Sequence, residues 1–249
     1  GNSLNELNLL DSDSVDMIFC DPPYFLQLNK ELLRPDMTIV NGVKENWDKF
    51  SSYAEYDHFS NMWLKECKRI LKKDGTIWLI GTYHNIYRLG FHLQNLNFWI
   101  LNDIIWNKVN PLPNFKGTRF TNAHEVIIWA SKSKKSKYTF NYHTMKKMNN
   151  NKQMRSDWSL KVCQGKERLK NKLNKTLHST QKPEELLERI VLASTKPGDF
   201  VLDPFFGTGT SGAICKKLGR KFIGIESNAT YMKAAKQRII NIRPIDSSK

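Results

Sequence analysis

The chain has 249 residues, 40% of them apolar and 25% charged, a balance that excludes both a disordered polymer and a membrane-embedded protein. No apolar run reaches the roughly 18 residues a spanning helix needs, and no charged-then-apolar leader opens the chain. The four cysteines, Cys20, Cys67, Cys163 and Cys215, are scattered without a Cys-x-x-Cys pair, which argues against a disulfide framework or a zinc site and fits a reducing compartment.

In chain order, Val15–Cys20 reads as a buried strand that must stop at Asp21-Pro22-Pro23-Tyr24, because two prolines cannot continue a ladder. Gln27 to Phe50 has no clean period and reads as a long loop of the kind that forms lids and binding segments. Phe59, Met62, Trp63, Ile70 and Leu71 share a helical face, and Lys72-Lys73-Asp74-Gly75 predicts that helix's end, with Gly75 as its cap. Thr76–Gly81 predicts a strand, Ile86–Leu96 a helix, and Trp99–Trp106 and Glu125–Ala130 two further strands. Pro183 opens a helix carried by Leu186, Leu187, Ile190 and Val191. Phe200–Leu202 is a strand, a helix runs on to about Leu218, Phe222–Ile225 is the next strand, and Asn228 caps a last helix to about Ile240. Strands alternating with helices imply an α/β fold with a mainly parallel sheet covered on both faces.

The net charge of +15 is concentrated. Between Lys132 and Lys175 fourteen Lys and Arg face only Asp157 and Glu167, so this stretch carries +12 of the total. Such a field suits a polyanion, since each neutralised phosphate releases counterions. Tyr138, Phe140, Tyr142, His143 and Trp158 are interleaved with the lysines, which a merely solvated loop rarely shows. The phosphate and base contacts expected here are Lys134, Lys135, Lys146, Lys147, Arg155 and Arg168. His143 and His178 read as surface histidines, with base or phosphate contact as the alternative.

Two turns carry the chemistry. Asp203-Pro204-Phe205-Phe206-Gly207-Thr208-Gly209-Thr210 joins a strand to a helix, where open α/β sheets bind ligands. Gly207 and Gly209 allow close backbone approach, and Glu226 ends the next strand, where a carboxylate can accept bonds from ribose hydroxyls. The turn lacks the third glycine of a dinucleotide fingerprint and the Gly-Lys-Ser/Thr of a phosphate loop, so it suits a nucleoside such as S-adenosylmethionine; an ordinary tight turn is the alternative. At Asp21-Pro22-Pro23-Tyr24 the Asp21 carboxylate and Pro22 carbonyl can accept the hydrogens of an exocyclic base amine, whose lone pair is otherwise delocalised into the ring. Tyr24 offers a flat face for stacking an extruded base, and a rigid structural turn is the alternative. Cys20, at the end of an apolar strand, reads as a small buried hydrophobe and not a nucleophile.

Together the two turns resemble those of the β class of DNA amino-methyltransferases, in which the catalytic half precedes the cofactor half. His178-Ser179-Thr180-Gln181-Lys182-Pro183 resembles that family's segment before the cofactor motif. Asn107 to Phe115 and Arg119 to Glu125 look like the CcrM, HinfI and MboII methyltransferase group. The resemblance implies a Rossmann-like methyltransferase sheet with circularly permuted motif order. It implies a catalytic half over residues 1–131, a basic target-recognition insert over 132–177 and a cofactor-binding half over 178–249. It carries over Asp21, Pro22, Pro23 and Tyr24 as catalytic, with Asp21 also bordering the cofactor. Asp203, Phe205, Gly207, Gly209 and Glu226 become cofactor residues, and Gln181 and Lys182 lie toward the methionine end. Where the family often has Gly-Asp-Cys this chain has Gly1-Asn2-Ser3, so Asn2 takes the adenine contact.

Asp at position 21, where Ser usually marks the cytosine enzymes, favours adenine N6. The implied function is a site-specific DNA adenine-N6 methyltransferase that flips its base from duplex DNA, in a restriction-modification or orphan modification system. Cytosine-N4 methylation, RNA methylation and an inactive DNA-binding module are the alternatives. Expected partners are double-stranded DNA, a second copy of the chain and a cognate restriction endonuclease, with a bacterial cytoplasmic location.

Overall fold

The computed structural model describes residues 1–26, 32–33, 39–40, 48–114, 116–171 and 173–245. Seven strands form one sheet in the order β7-β5-β6-β4-β1-β8-β9: β1 is Val15–Cys20, β4 Leu71–Gly81, β5 Trp99–Lys108, β6 His124–Ser131, β7 Asp157–Leu160, β8 Phe200–Asp203 and β9 Lys221–Gly224. The β1–β4, β1–β8, β8–β9 and β5–β7 pairs are parallel, and β6 runs antiparallel to both β4 and β5. Leu32–Leu33 (β2) and Ile39–Val40 (β3) form a separate antiparallel pair. The rest of the long loop expected from Gln27 onward, up to residue 47, lies outside the described residues, as do Phe115 and Lys172.

Period-2 alternation sends the strand residues into two cores, which is why the strands read as nearly continuous apolar runs. Ile18, Cys20, Ile77, Leu79, Ile128 and Leu202 face α1 (Ser3–Asn8), α2 (Tyr53–Ile70) and α3 (Ile86–Asn95). Met17, Phe19, Trp78, Ile80, Ile127, Trp129 and Val201 face α4 (Tyr142–Met148), α5 (Glu184–Ser194) and α6 (Thr210–Lys217). A last helix, α7 (Ala229–Ile240), starts at Asn228, whose side chain accepts the Thr230 and Tyr231 amides.

Two expectations change. The helix expected to end at Gly75 stops at Ile70, and Leu71 already enters β4. Lys72, Lys73 and Asp74 form an outward irregularity between the Val15–Leu71 and Met17–Thr76 pairs, fixed by a Lys72–Asp16 ion pair of 2.8 Å. Gly75 is no cap: a side chain there would meet Leu71 and the Asp16 carbonyl. The basic stretch is built into the main sheet. It supplies β7, an edge strand of the main sheet, and buries Met145, Trp158 and Leu160 in the second core. Trp129 receives Tyr138 edge-on at 5.4 Å and Phe140 at 5.6 Å, so several interleaved rings serve packing.

Candidate active site

The chain leaves β1 to cross toward β4 on one side, and leaves β8 to cross toward β9 on the other. The crevice at the carboxyl ends of β1 and β8 is therefore the point where the sheet's winding reverses, where α/β folds bind ligands. A cavity of about 250 Å³ opens there. Its lining contains Asn2, Asp21, Pro22, Pro23, Tyr24, Gln181, Lys182, Asp203, Phe205, Gly207 and Glu226. The two sequence motifs, some 180 residues apart, thus meet in one cleft.

On the β8–β9 side, backbone geometry builds the wall. Gly207 has φ +53° and a side chain there would sit 3.3 Å from His178 Nε2, so only glycine fits without strain. Its N–H donates to Glu226 Oε2 at 2.8 Å, and the Asn228 N–H donates to Oε1 at 2.7 Å. Phe205 and Phe206 both line the cleft; Phe205 meets Trp63 edge-on at 5.1 Å, and Phe206 stacks on Phe222. Gly209 does not line the cavity. With φ +74° it begins α6, and a side chain would strike Ala235, so its role is close helix packing. Asp203 is 4% exposed. Its carboxylate accepts the Phe205 N–H at 3.0 Å and the Ser211 hydroxyl at 2.5 Å. Burial outweighs both bonds and pushes Asp203 up to about 7.

The β1 side is built from charge. Asp21 Oδ1 accepts the Tyr24 hydroxyl at 2.8 Å and Oδ2 accepts Lys182 Nζ at 2.7 Å. The Tyr24 hydroxyl also lies 3.2 Å from Glu125 Oε2, and Lys108 pairs with Glu125 Oε1 at 2.8 Å. Two carboxylates, Glu125 buried and Asp21 partly so, are balanced by two ammonium groups, Lys182 buried and Lys108 partly so. Burial pushes the Asp21 carboxyl above its ordinary range, against the Lys182 ammonium. Burial alone would lower Lys182, but Asp21 and Glu125 together hold it above its usual value. Glu125 is also buried, yet Lys182 and Lys108 hold it below the ordinary carboxylate range.

Several of these residues were invisible in the sequence. Glu125 and Lys108 stand in the quoted family segments without an assigned role, and only the pairing of β5 with β6 brings them together. His178 is not a surface residue. It lines the cleft against Tyr231 at 4.7 Å, and burial pushes it down to about 4, so it is neutral near pH 7. His143 is exposed beside Tyr142. Cys20 is fully buried and burial pushes its thiol well up, as an inert hydrophobe requires.

The expected DNA contacts fall outside the cleft lining. Lys134, Lys135, Lys147 and Arg155 are exposed, and Lys146 is half-buried. Lys134 Nζ lies over the Trp99 ring at 4.9 Å and Arg155 pairs with Asp157 at 2.7 Å. Arg168 is committed to structure: its guanidinium donates to the Cys163 and Ser179 carbonyls at 3.1 and 2.5 Å. Gln181 ties the same segment down, accepting the Leu169 N–H at 3.0 Å and donating to the Glu167 carbonyl at 2.9 Å. Asn2 caps α1 by accepting the Leu4 N–H at 2.9 Å while lining the cleft.

The donor set fits a nucleoside joined to an amino acid. Glu226 offers carboxylate oxygens for ribose hydroxyls, Phe205 and Ile225 offer apolar walls for a base, and Asp203 and Lys182 offer charge toward the other end. No helix among the described residues is long and apolar enough to cross a membrane.

A family model described as DNA methylase matches residues 15–237. Type II methyltransferase M.HinfI of Haemophilus influenzae is 57% identical over 244 residues, covering 98% of this chain and 68% of its own length. Type II methyltransferase M2.LlaDCHI of Lactococcus lactis subsp. cremoris is 46% identical over 239 residues, covering 96% and 87%. The solved M1.HpyAVI–SAM complex matches with a TM-score of 0.66 at 29% identity over 96% of each chain. The PvuII DNA methyltransferase, described as cytosine-N4-specific, matches with a TM-score of 0.72 at 19% identity over 100% and 86%, a likeness of fold alone. With both motif turns meeting at one switch point, the chain belongs to the DNA methylase family and is a site-specific DNA methyltransferase that uses S-adenosylmethionine.

Proposed function

We propose that the chain methylates N6 of adenine, flipped from duplex DNA, as the modification enzyme of a restriction-modification system. The observation that carries this is the opening of the Asp21–Tyr24 turn and the Asp203–Gly207 loop into one cavity. The Type II names of the relatives at 57% and 46% identity support the system, and Asp at position 21 supports adenine.

An ionised carboxylate has about four acceptor sites, and two on Asp21 are taken by Tyr24 and Lys182. The remaining capacity can receive one hydrogen of the target amine. The Pro22 carbonyl, which accepts no hydrogen bond among the described residues, can receive the other. Two acceptors facing the amine draw its lone pair out of ring conjugation and make the nitrogen nucleophilic. Lys182 favours the ionised form of Asp21 that this task needs. Tyr24 is held by its hydroxyl, so its ring is a fixed wall for the base. When bound, S-adenosylmethionine supplies a methyl group activated by its sulfonium. Asp203, Phe205, Gly207 and Glu226, with Gln181 and Lys182, are the residues that would hold it.

Residues 1–131 act as the catalytic half and 178–249 as the cofactor half. The stretch 132–177 presents Lys134, Lys135, Lys146, Lys147 and Arg155 to phosphates, with Arg168 holding its fold. A cognate endonuclease and a second copy of the chain are further partners.

The test is methyl transfer to duplex DNA, with nucleoside analysis of the product. Wild type is expected to yield N6-methyladenine, and Asp21→Ala to lose at least about a hundredfold in rate while still binding S-adenosylmethionine. N4-methylcytosine, a preference for RNA, or full activity in the variant would each reject the reading.

A further inference from the structure

The catalytic turn is gripped by a residue that the methyl-transfer scheme does not use. Asp48 is 1% exposed. Its Oδ1 accepts the Tyr24 N–H at 2.6 Å and the Phe25 N–H at 2.7 Å, and its Oδ2 accepts the Leu26 N–H at 2.6 Å. Pro22 and Pro23 have no N–H, so these are the first three backbone donors after Asp21. Aiming consecutive N–H groups at one anion makes a concave nest, which needs a left-handed residue. Phe25 supplies it, at φ +56°. A bulky residue holds that conformation only where its surroundings over-determine it. Here Phe50 and Tyr53 meet the Phe25 ring edge-on at 5.6 and 5.2 Å.

The other side of the turn is pinned as well. The Pro23 carbonyl accepts the Tyr56 hydroxyl at 2.8 Å and Asn85 Nδ2 at 3.4 Å. The Pro22 carbonyl is one peptide unit upstream of the anchored Pro23–Tyr24 peptide. A fully buried carboxylate is costly unless hydrogen-bonded, and Asp48 meets that cost with the peptide groups of Tyr24, Phe25 and Leu26.

We infer that Asp48 is a positioning residue for methyl transfer: its carboxylate fixes the peptide planes from Tyr24 to Leu26, and through them the Pro22 carbonyl and the Tyr24 ring. The inference rests on the proposed roles of Asp21 and Pro22. Asparagine keeps the shape and one acceptor oxygen but turns an NH₂ group toward the third N–H. Alanine removes all three acceptor contacts.

Full-length Asp48→Asn and Asp48→Ala are to be compared in steady-state methyl transfer, S-adenosylmethionine calorimetry and thermal unfolding. Expected is a fall in kcat of about tenfold for Asn and about a hundredfold for Ala, the scale of a lost preorganised contact. The Kd for S-adenosylmethionine and the KM for DNA should stay within about threefold of wild type in Asp48→Asn. Should the alanine variant fail to fold, the asparagine variant decides. A kcat within about threefold of wild type in folded Asp48→Ala, or in Asp48→Asn when the alanine variant does not fold, overturns the assignment, as does an equal loss of kcat and cofactor binding in Asp48→Asn. Asp21→Ala assayed in parallel separates the two claims. An active Asp21→Ala removes the underlying reading; an inactive one beside an unimpaired Asp48→Ala removes only the inference about Asp48.

Discussion

Asp21 and Asp203 stand at the carboxyl ends of two adjacent parallel strands, β1 and β8, yet their surroundings differ in kind. Asp21 has an ammonium partner 2.7 Å away. Among the described residues Asp203 accepts hydrogen bonds from a hydroxyl and an amide, and burial takes it up to about 7. One wall of the cleft therefore carries a carboxylate matched with a counter-ion, and the other a carboxyl group without one whose charge changes near neutral pH. In the proposed mechanism Asp21 acts in its ionised form. Asp203 changes its charge around neutral pH.

Removing the counter-ion is the harshest way to break this contrast. Lys182→Met leaves Asp21 without its ammonium and Glu125 with Lys108 alone, and should cost about 3–5 kcal/mol in urea unfolding at pH 8. The loss should shrink toward acid pH, because Asp21 can then be buried as a neutral acid. Adding Asp21→Asn to Lys182→Met should recover part of it. A Lys182→Met protein as stable as wild type would mean that the pair is only a surface convenience.

The second test concerns Asp203. Its folded pKa of about 7 lies above the unfolded value of roughly 3.9, so the folded state holds the proton more tightly. Stability of the ligand-free protein should therefore be full below about pH 4 and decline as pH rises toward 7, by up to a few kcal/mol. Asp203→Asn should flatten that decline. Affinity for the cationic cofactor should rise over pH 6–8 in wild type and not in the variant, as read by calorimetry. An unchanged pH profile would return Asp203 to the ordinary carboxylate class.

The smallest effect expected is at Gly207, where the wall is backbone and not charge. Gly207→Ala forces a side chain to φ +53° beside His178 and should cost about 1–2 kcal/mol with weaker cofactor binding. Thermal unfolding at pH 6 and pH 8 should show the same loss, which separates steric strain from titration.

Much of this contrast was legible in the sequence, and the reason is local. Asp21, Pro22 and Pro23 follow an apolar strand, and Asp203 and Gly207 lie in a strand-to-helix turn, so chain order alone puts them at strand ends. The partners were not legible because they arrive through tertiary pairing. Lys182 and Asp21 are separated by 161 positions, and Tyr24 and Glu125 by 101. Asp48 gave no signal, since the donors at Tyr24, Phe25 and Leu26 are backbone N–H groups, which every residue but proline carries. In the basic stretch the lysines dominated the pattern and concealed Trp158 and Leu160, whose alternation is that of a strand four residues long. The stop of α2 was misplaced because Lys-Lys-Asp-Gly has the chemistry of a helix end, whereas here it bends a strand outward.

The indole pair in the second core has an optical consequence. Trp78 and Trp129 lie 4.9 Å apart with planes 16° from parallel, and Trp158, on the strand lent by the basic stretch, sits 6.3 Å from Trp78. Rings so close and so ordered couple their electronic transitions, which gives circular dichroism in the aromatic band a signature specific to this trio. A shift of β7 when a nucleic acid engages the lysines around it would change that signal, so the protein carries its own spectroscopic gauge for events at the edge of the sheet.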